Sequence, residues 1–172
     1  MDLTPDLDNE ANKPTMRGVL HRYSFFGALI VGVWAFDKVH PEHRFGIAVL
    51  IAAICLCFGT SALYHGVHWR ERSRVWMRRA DHSMIFVTIA GIFTLVGMYL
   101  IEPGLGQGLL VFFWSAAVIG TLIKLLWIEA PRRLSTGLYL LVSWAAILAF
   151  PGLREAIGLA PTLFMLLGGV TI

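Results

Sequence analysis

The chain has 172 residues, of which 57% are hydrophobic and only 15% charged, against roughly 25% charged in an average soluble domain. With a mean hydropathy of +0.70 and its charges gathered into short stretches, this is a membrane composition, and it excludes an ordinary soluble domain. The formal charge of +3 is accounted for by basic helix flanks, so nucleic acid is not an expected partner.

The chain opens on "MDLTPDLDNEANKP", which is acidic and turn-rich. The expected division is a cytoplasmic tail over 1–15 and a membrane helix bundle over 16–172. The first apolar block runs approximately from Arg17 to Phe36 and is longer than a signal-peptide core, so it reads as an uncleaved spanning helix. "DKVHPEHR" follows, with His40 and His43 as solvated loop residues. The second block, Phe45 to His65, holds Cys55 and Cys57, which point in different directions on a helix and form neither a disulfide framework nor a Cys-x-x-C motif. The connection "GVHWRERSRVWMRRA" carries five Arg against one Glu. The third block spans Ser83 to Ile101 and ends in "EPGLGQG", which does not match G-x-G-x-x-G and follows no strand, so a nucleotide site is unsupported. A fourth block, Gly106 to Ile128, leads through "EAPRR" to a fifth, Leu134 to Phe150. After "PGLREAIGLAP" a sixth begins near Thr162, and about eleven residues at a rise of 1.5 Å reach only about halfway across a hydrocarbon core of roughly 30 Å. The fold class is therefore all-α: a polytopic integral membrane helix bundle with five complete spanning helices and a partial sixth.

The second and fourth connections hold the positive charge, the latter through Arg132 and Arg133 with Lys124 before them; the first, third and fifth are neutral or acidic. By the positive-inside rule the second and fourth are cytoplasmic, and so is the N-terminus beside Arg17 and Arg22. Trp69, Trp76 and Trp127 read as an aromatic belt. Gly27, Gly32, Gly91 and Gly97 are expected to permit close helix packing.

Chemistry-bearing residues concentrate where the second helix ends and the third begins, in "GTSALYHGVH" and "RRADHSMIF". Ser61 and His65 stand at i and i+4, on one helical face. Asp81 is an ionisable residue at the membrane boundary, a kind of residue that usually faces the protein interior, a partner or a cavity. One reading makes the cluster half of a zinc site, because imidazole is the commonest metal-ligating side chain and a carboxylate can orient a ligand or hold a metal-bound water. The other makes it an interface: His65 and His68 capping a helix end, Asp81 capping the next helix or pairing with Arg78 or Arg79, and Ser61 bonding back to its own helix. Spacing alone favours the interface. His21, near the same end of the first helix, either joins the cluster or sits at the membrane surface.

"PTMRGVLHR", "SALYH" and "RRADHSMIFVTIAGIFT", in that order, resemble the bacterial hemolysin III family, a branch of the progestin and adipoQ receptor superfamily, and "LGGV" at Gly168 and Gly169 resembles its sixth helix. The resemblance implies seven helices, a cytoplasmic N-terminus, the bacterial inner (plasma) membrane, and a zinc ion near the cytoplasmic helix ends. His65 would be a zinc ligand and Asp81 would hold the zinc-bound water, while two further ligands come from a His-x-x-x-His in the seventh helix. No His follows His82 in this chain, and Leu95 stands where many relatives have Pro. The expectation is a product truncated before the seventh helix, with weak metal affinity unless His68, His82 or a second chain substitutes. The activity implied is that of a zinc-dependent membrane hydrolase acting on a lipid amide or ester, with Asp81 and Ser61 as catalytic groups and the bilayer and a lipid substrate as partners. Two alternatives stand beside it. One is a membrane sensor or pore-forming, cytolytic protein, for which a continuous polar stripe is missing. The other is an inactive truncated product whose open side exposes Ser61, His65 and Asp81 to lipid.

Overall fold

A computed structural model describes residues 15–127, 137, 140, 142 and 144–170. The acidic tail and the start of the fifth apolar block, with Arg132 and Arg133, lie outside the described residues. Among those described, the structure is helical with short 3-10 turns and no strand. Helix α1 covers Thr15–Lys38, and a 3-10 turn at Pro41–His43 leads into α2, Arg44–Gly66. Helix α3 covers Glu71–Tyr99 and α4 Pro103–Leu126; a second 3-10 turn at Ala146–Ala149 precedes α5, Phe150–Ile157, and α6, Leu159–Val170. The four long helices have 24, 23, 29 and 24 residues. At 1.5 Å per residue each exceeds the roughly 30 Å of a hydrocarbon core, and all four are apolar enough to cross one. In the fifth block, Gly137, Leu140, Val142, Trp144 and Ala145 are helical.

Local chemistry explains most of the boundaries. Pro103 opens α4 at a position where a missing N–H costs nothing. Gly158, at φ +85°, breaks α5 from α6 in a backbone region that a side chain resists. Several boundaries depart from the sequence reading, among them that of α4, which starts at Pro103 and not at Gly106. Helix α3 starts at Glu71, twelve residues before Ser83, so most of the arginine-rich connection is helix. Residues 71–90 contain neither Gly nor Pro, Arg and Met are good helix formers, and Glu71 complements the dipole in the first turn. Likewise "PGLRE" forms the first part of α5, with Pro151 in the first turn and Leu153 buried, and α6 starts at Leu159 instead of near Thr162.

The long helices pack in sequence: α1 on α2, α2 on α3 and α3 on α4. The core centres on α3 and α4, where Phe86, Ala90, Phe93 and Val96 meet Leu109, Phe113 and Ala117, joined by Val142, Ala149 and Leu153. The Phe93 and Phe113 rings stack 3.7 Å apart. Close approach depends on glycine: a Cβ on Gly106 would collide with the Gly97 carbonyl, and one on Gly91 would strike Ala53 of α2. Gly32 likewise sits under Ile51. Gly27 does not belong with these, because nothing approaches its α-carbon face within 4 Å. Several polar groups in the spans are bonded within the bundle, as lipid favours, whereas Thr121 Oγ1 of α4 is buried without a hydrogen-bond partner. Thr94 Oγ1 donates to the Ala90 carbonyl at 2.9 Å and accepts the Trp114 indole N–H at 3.0 Å, tying α4 to α3.

Candidate functional site

The four-residue link between α2 and α3 brings the end of one and the start of the other to the same end of the bundle, where α1 also begins. There α1 lies directly on the last turn of α2: a Cβ on Gly18 would come within 3.1 Å of the His65 carbonyl carbon. Three residues further along the same face, His21 Nδ1 is 2.8 Å from Ser61 Oγ, a hydrogen bond whose donor depends on the imidazole tautomer. The His21 ring is 6.2 Å from the His65 ring and 5.8 Å from Phe58. Tyr64 flanks His65 at 4.7 Å.

Asp81 approaches from α3. It is an electrostatic neighbour of Cys57, whose thiol is hydrogen-bonded with Thr88. Cys57, Ser61 and His65 occupy successive i, i+4 positions of α2, and with Gly91 packed on Ala53 and Thr88 beside Cys57 the antiparallel register brings Asp81 level with the last turns of α2. The cluster is shielded: Ser61 is 7% exposed and the Asp81 side chain 17%. Of the three groups expected to face lipid on an open side, Ser61 is covered by α1.

The interface reading also needs correction. Asp81 is ten residues inside α3 and caps nothing. Among the described residues no ion pair joins it to Arg78 or Arg79; its ionic neighbour is His82, with Nδ1 at 3.9 Å. That Nδ1–H donates to the Arg78 carbonyl at 2.7 Å. Arg79 donates from Nη1 to the Leu125 carbonyl at 2.8 Å and lies over the Trp76 ring, linking α3 to the end of α4. The Ser61 hydroxyl is engaged across the helix pair. Trp69 donates to the Leu63 carbonyl at 3.0 Å, as a belt residue anchored to the end of α2. His68 is exposed in the link. At the far end His40 is exposed beside Glu42, but His43 is not simply solvated, since its ring packs edge-on against Tyr99 at 4.6 Å.

The residue whose role the sequence left open is His21. Its signal is the spacing Gly18, His21, Phe25 on one face, matched by Gly59, Ser61 and His65 on the partner; Phe25 lies 3.3 Å from where a Gly59 Cβ would be. As a test of zinc, the donor chemistry falls short. A tetrahedral site takes three or four protein ligands, or three with a water, and among the described residues no three His, Cys, Asp or Glu side chains converge to hold a metal. His65, His21 and Asp81 do not close such a site by themselves.

Apolar helices long enough to span a bilayer, joined by arginine-rich and acidic ends, define an integral membrane protein of the all-α class. The chain matches the family described as Haemolysin-III related over residues 9–172, and it belongs to that family. It is 31% identical over 126 residues to the "Hemolysin-3 homolog" of Bacillus subtilis (strain 168), a match covering 73% of this chain and 56% of the relative. It is 28% identical over 110 residues to the "Hemolysin-3" of Bacillus cereus, covering 64% of this chain and 50% of the relative. The chain thus spans about half the length of the curated relatives it matches. No solved structure matches it.

Proposed function

We propose that the arginine-rich end faces the cytoplasm of a bacterial inner membrane, and that His21, Ser61, His65 and Asp81 form a hydrolytic site for an amide or ester bond of a membrane lipid. The observation that carries the reading is the 2.8 Å His21–Ser61 hydrogen bond, made in a shielded place beside His65 at the depth where α3 supplies Asp81. The charge distribution supports the orientation: Arg22, the five arginines of 70–79 and Lys124 outnumber Glu71 and Asp81 at this end, while at the other Lys38, Arg44 and Arg154 are outnumbered by Asp37, Glu42, Glu102 and Glu155. In the tautomer with a proton on Nδ1, His21 donates to Ser61 and leaves the serine hydrogen to bind a substrate carbonyl or a water. Asp81 accepts a proton from that water as the water oxygen attacks the carbonyl carbon, and passes it to the leaving amine or alkoxide as the C–N or C–O bond breaks. Zinc, the group the resemblance implies, would supply Lewis acidity; His65 is the imidazole this chain offers it, and donors beyond the cluster would be needed, so no step is drawn through the metal.

The test uses purified protein in vesicles containing phospholipid and ceramide, with entrapped dye and added zinc. Fatty acid is released and the dye is retained. Dye leakage without fatty-acid release, indifferent to Ser61→Ala and Asp81→Asn, would replace hydrolysis with the pore reading. Elemental analysis separately addresses the metal: zinc retained undiminished in His65→Ala removes His65 from its ligands.

A further inference from the structure

The helical extension of α3 builds a second feature at the same end of the bundle. Arg74 and Arg78, at i and i+4, share a face of α3 with Glu71 and Val75, and across from them stand Tyr64 of α2 and Trp69 of the link. Together they line a cavity of about 230 Å³. Its size is below the roughly 300–1,000 Å³ of sites that enclose a drug-sized ligand. It therefore suits a headgroup whose chains stay in the bilayer.

Depth, geometry and charge agree on the class. Trp69 and Tyr64 are the amphipathic aromatics that settle at headgroup level, and the apolar part of α3 begins only after Asp81 and His82. Two guanidinium forks one helical turn apart match the oxygens of a phosphate better than point charges would. Two Arg against one Glu leave the lining at +1, the complement of a monoanionic phosphodiester. We propose that this pocket binds the phosphodiester of an anionic membrane phospholipid, holding the α2–α3 link at the bilayer surface. It adjoins the cluster through Tyr64 but shares none of its His, Ser or Asp residues, and it does not depend on hydrolysis.

The experiment is native mass spectrometry of the full chain in detergent, titrated with phosphatidylglycerol or phosphatidylcholine. Phosphatidylglycerol is retained at least about tenfold more tightly, and the double variant Arg74→Gln/Arg78→Gln loses affinity about 25-fold, at about fivefold for each arginine that reaches the phosphate. The equally charged variant Arg70→Gln/Arg72→Gln, altered outside the pocket, changes it by no more than a few fold. Should the pocket double variant fail to fold, exposed Arg78→Gln alone gives the same reading at about fivefold. Equal losses in both double variants would reduce the effect to diffuse charge and overturn the proposal. So would equal retention of the two lipids, or displacement of phosphatidylglycerol by inorganic phosphate at matching concentration, which would make the ligand a soluble anion.

Discussion

The pairs α1–α2 and α3–α4 are alike in length and hydropathy, yet they are joined by different chemistry. Between α3 and α4 the contacts are glycine on glycine, stacked Phe93 and Phe113, and the Trp114–Thr94 hydrogen bond, spread along the helices. Between α1 and α2 the apolar contacts are sparser, and at one end they give way to imidazole and hydroxyl, His21 against Ser61 and His65. Polar side chains that bond across helices in a membrane typically contribute only about 0.6 kcal/mol each. A shielded cluster of ionisable groups is thus a poor way to hold two helices together when glycine packing is available next door. The contrast gives α3–α4 the structural role and makes the shared end of α1, α2 and α3 the place of the proposed chemistry.

Substitutions can break that contrast. The largest stability effect is expected from Gly106→Leu, which drives a side chain onto the Gly97 backbone and destabilises the fold by about 1–3 kcal/mol, read as a lower melting temperature in detergent. Ser61→Ala is expected to cost about 0.6 kcal/mol through the lost hydrogen bond to His21, while removing the proposed lipid hydrolysis. Thr94→Val strands the Trp114 indole and is expected to cost about 0.6 kcal/mol, with hydrolysis per folded molecule unchanged. Gly27→Leu, on a face that nothing approaches, stays within about 0.5 kcal/mol of the parent. If Ser61→Ala proved as destabilising as Gly106→Leu, the α1–α2 contacts would be structural after all.

The class of fold was legible because lipid imposes it: apolar runs of spanning length bounded by charge have few other solutions. Proline and glycine marked the connections but not the helix starts: Pro103, which the sequence places in the third connection, opens α4. The start of α3 was not legible either, because the reading equated helix with the apolar segment, and the twelve residues 71–82, eight of them charged or polar, are helical before it. Ser61, His65 and Asp81 stood out by being polar where the chain should be apolar. Their neighbour His21 did not, because its partner is forty residues away and only the packing of Gly18 against α2 places it there. The glycines split for the same reason: Gly27 and Gly32 look equivalent in sequence, but only Gly32 faces a neighbour.

The most direct test of the central claim is Asp81→Asn, which keeps the shape of the side chain and removes its charge. Fatty-acid release from phospholipid and ceramide vesicles, measured per folded molecule beside thermal melting, should fall by about 10²- to 10⁴-fold, as for loss of a general base, with the melting temperature unchanged. Release at the parental rate would show that the arginine-rich end does not carry the chemistry assigned to it.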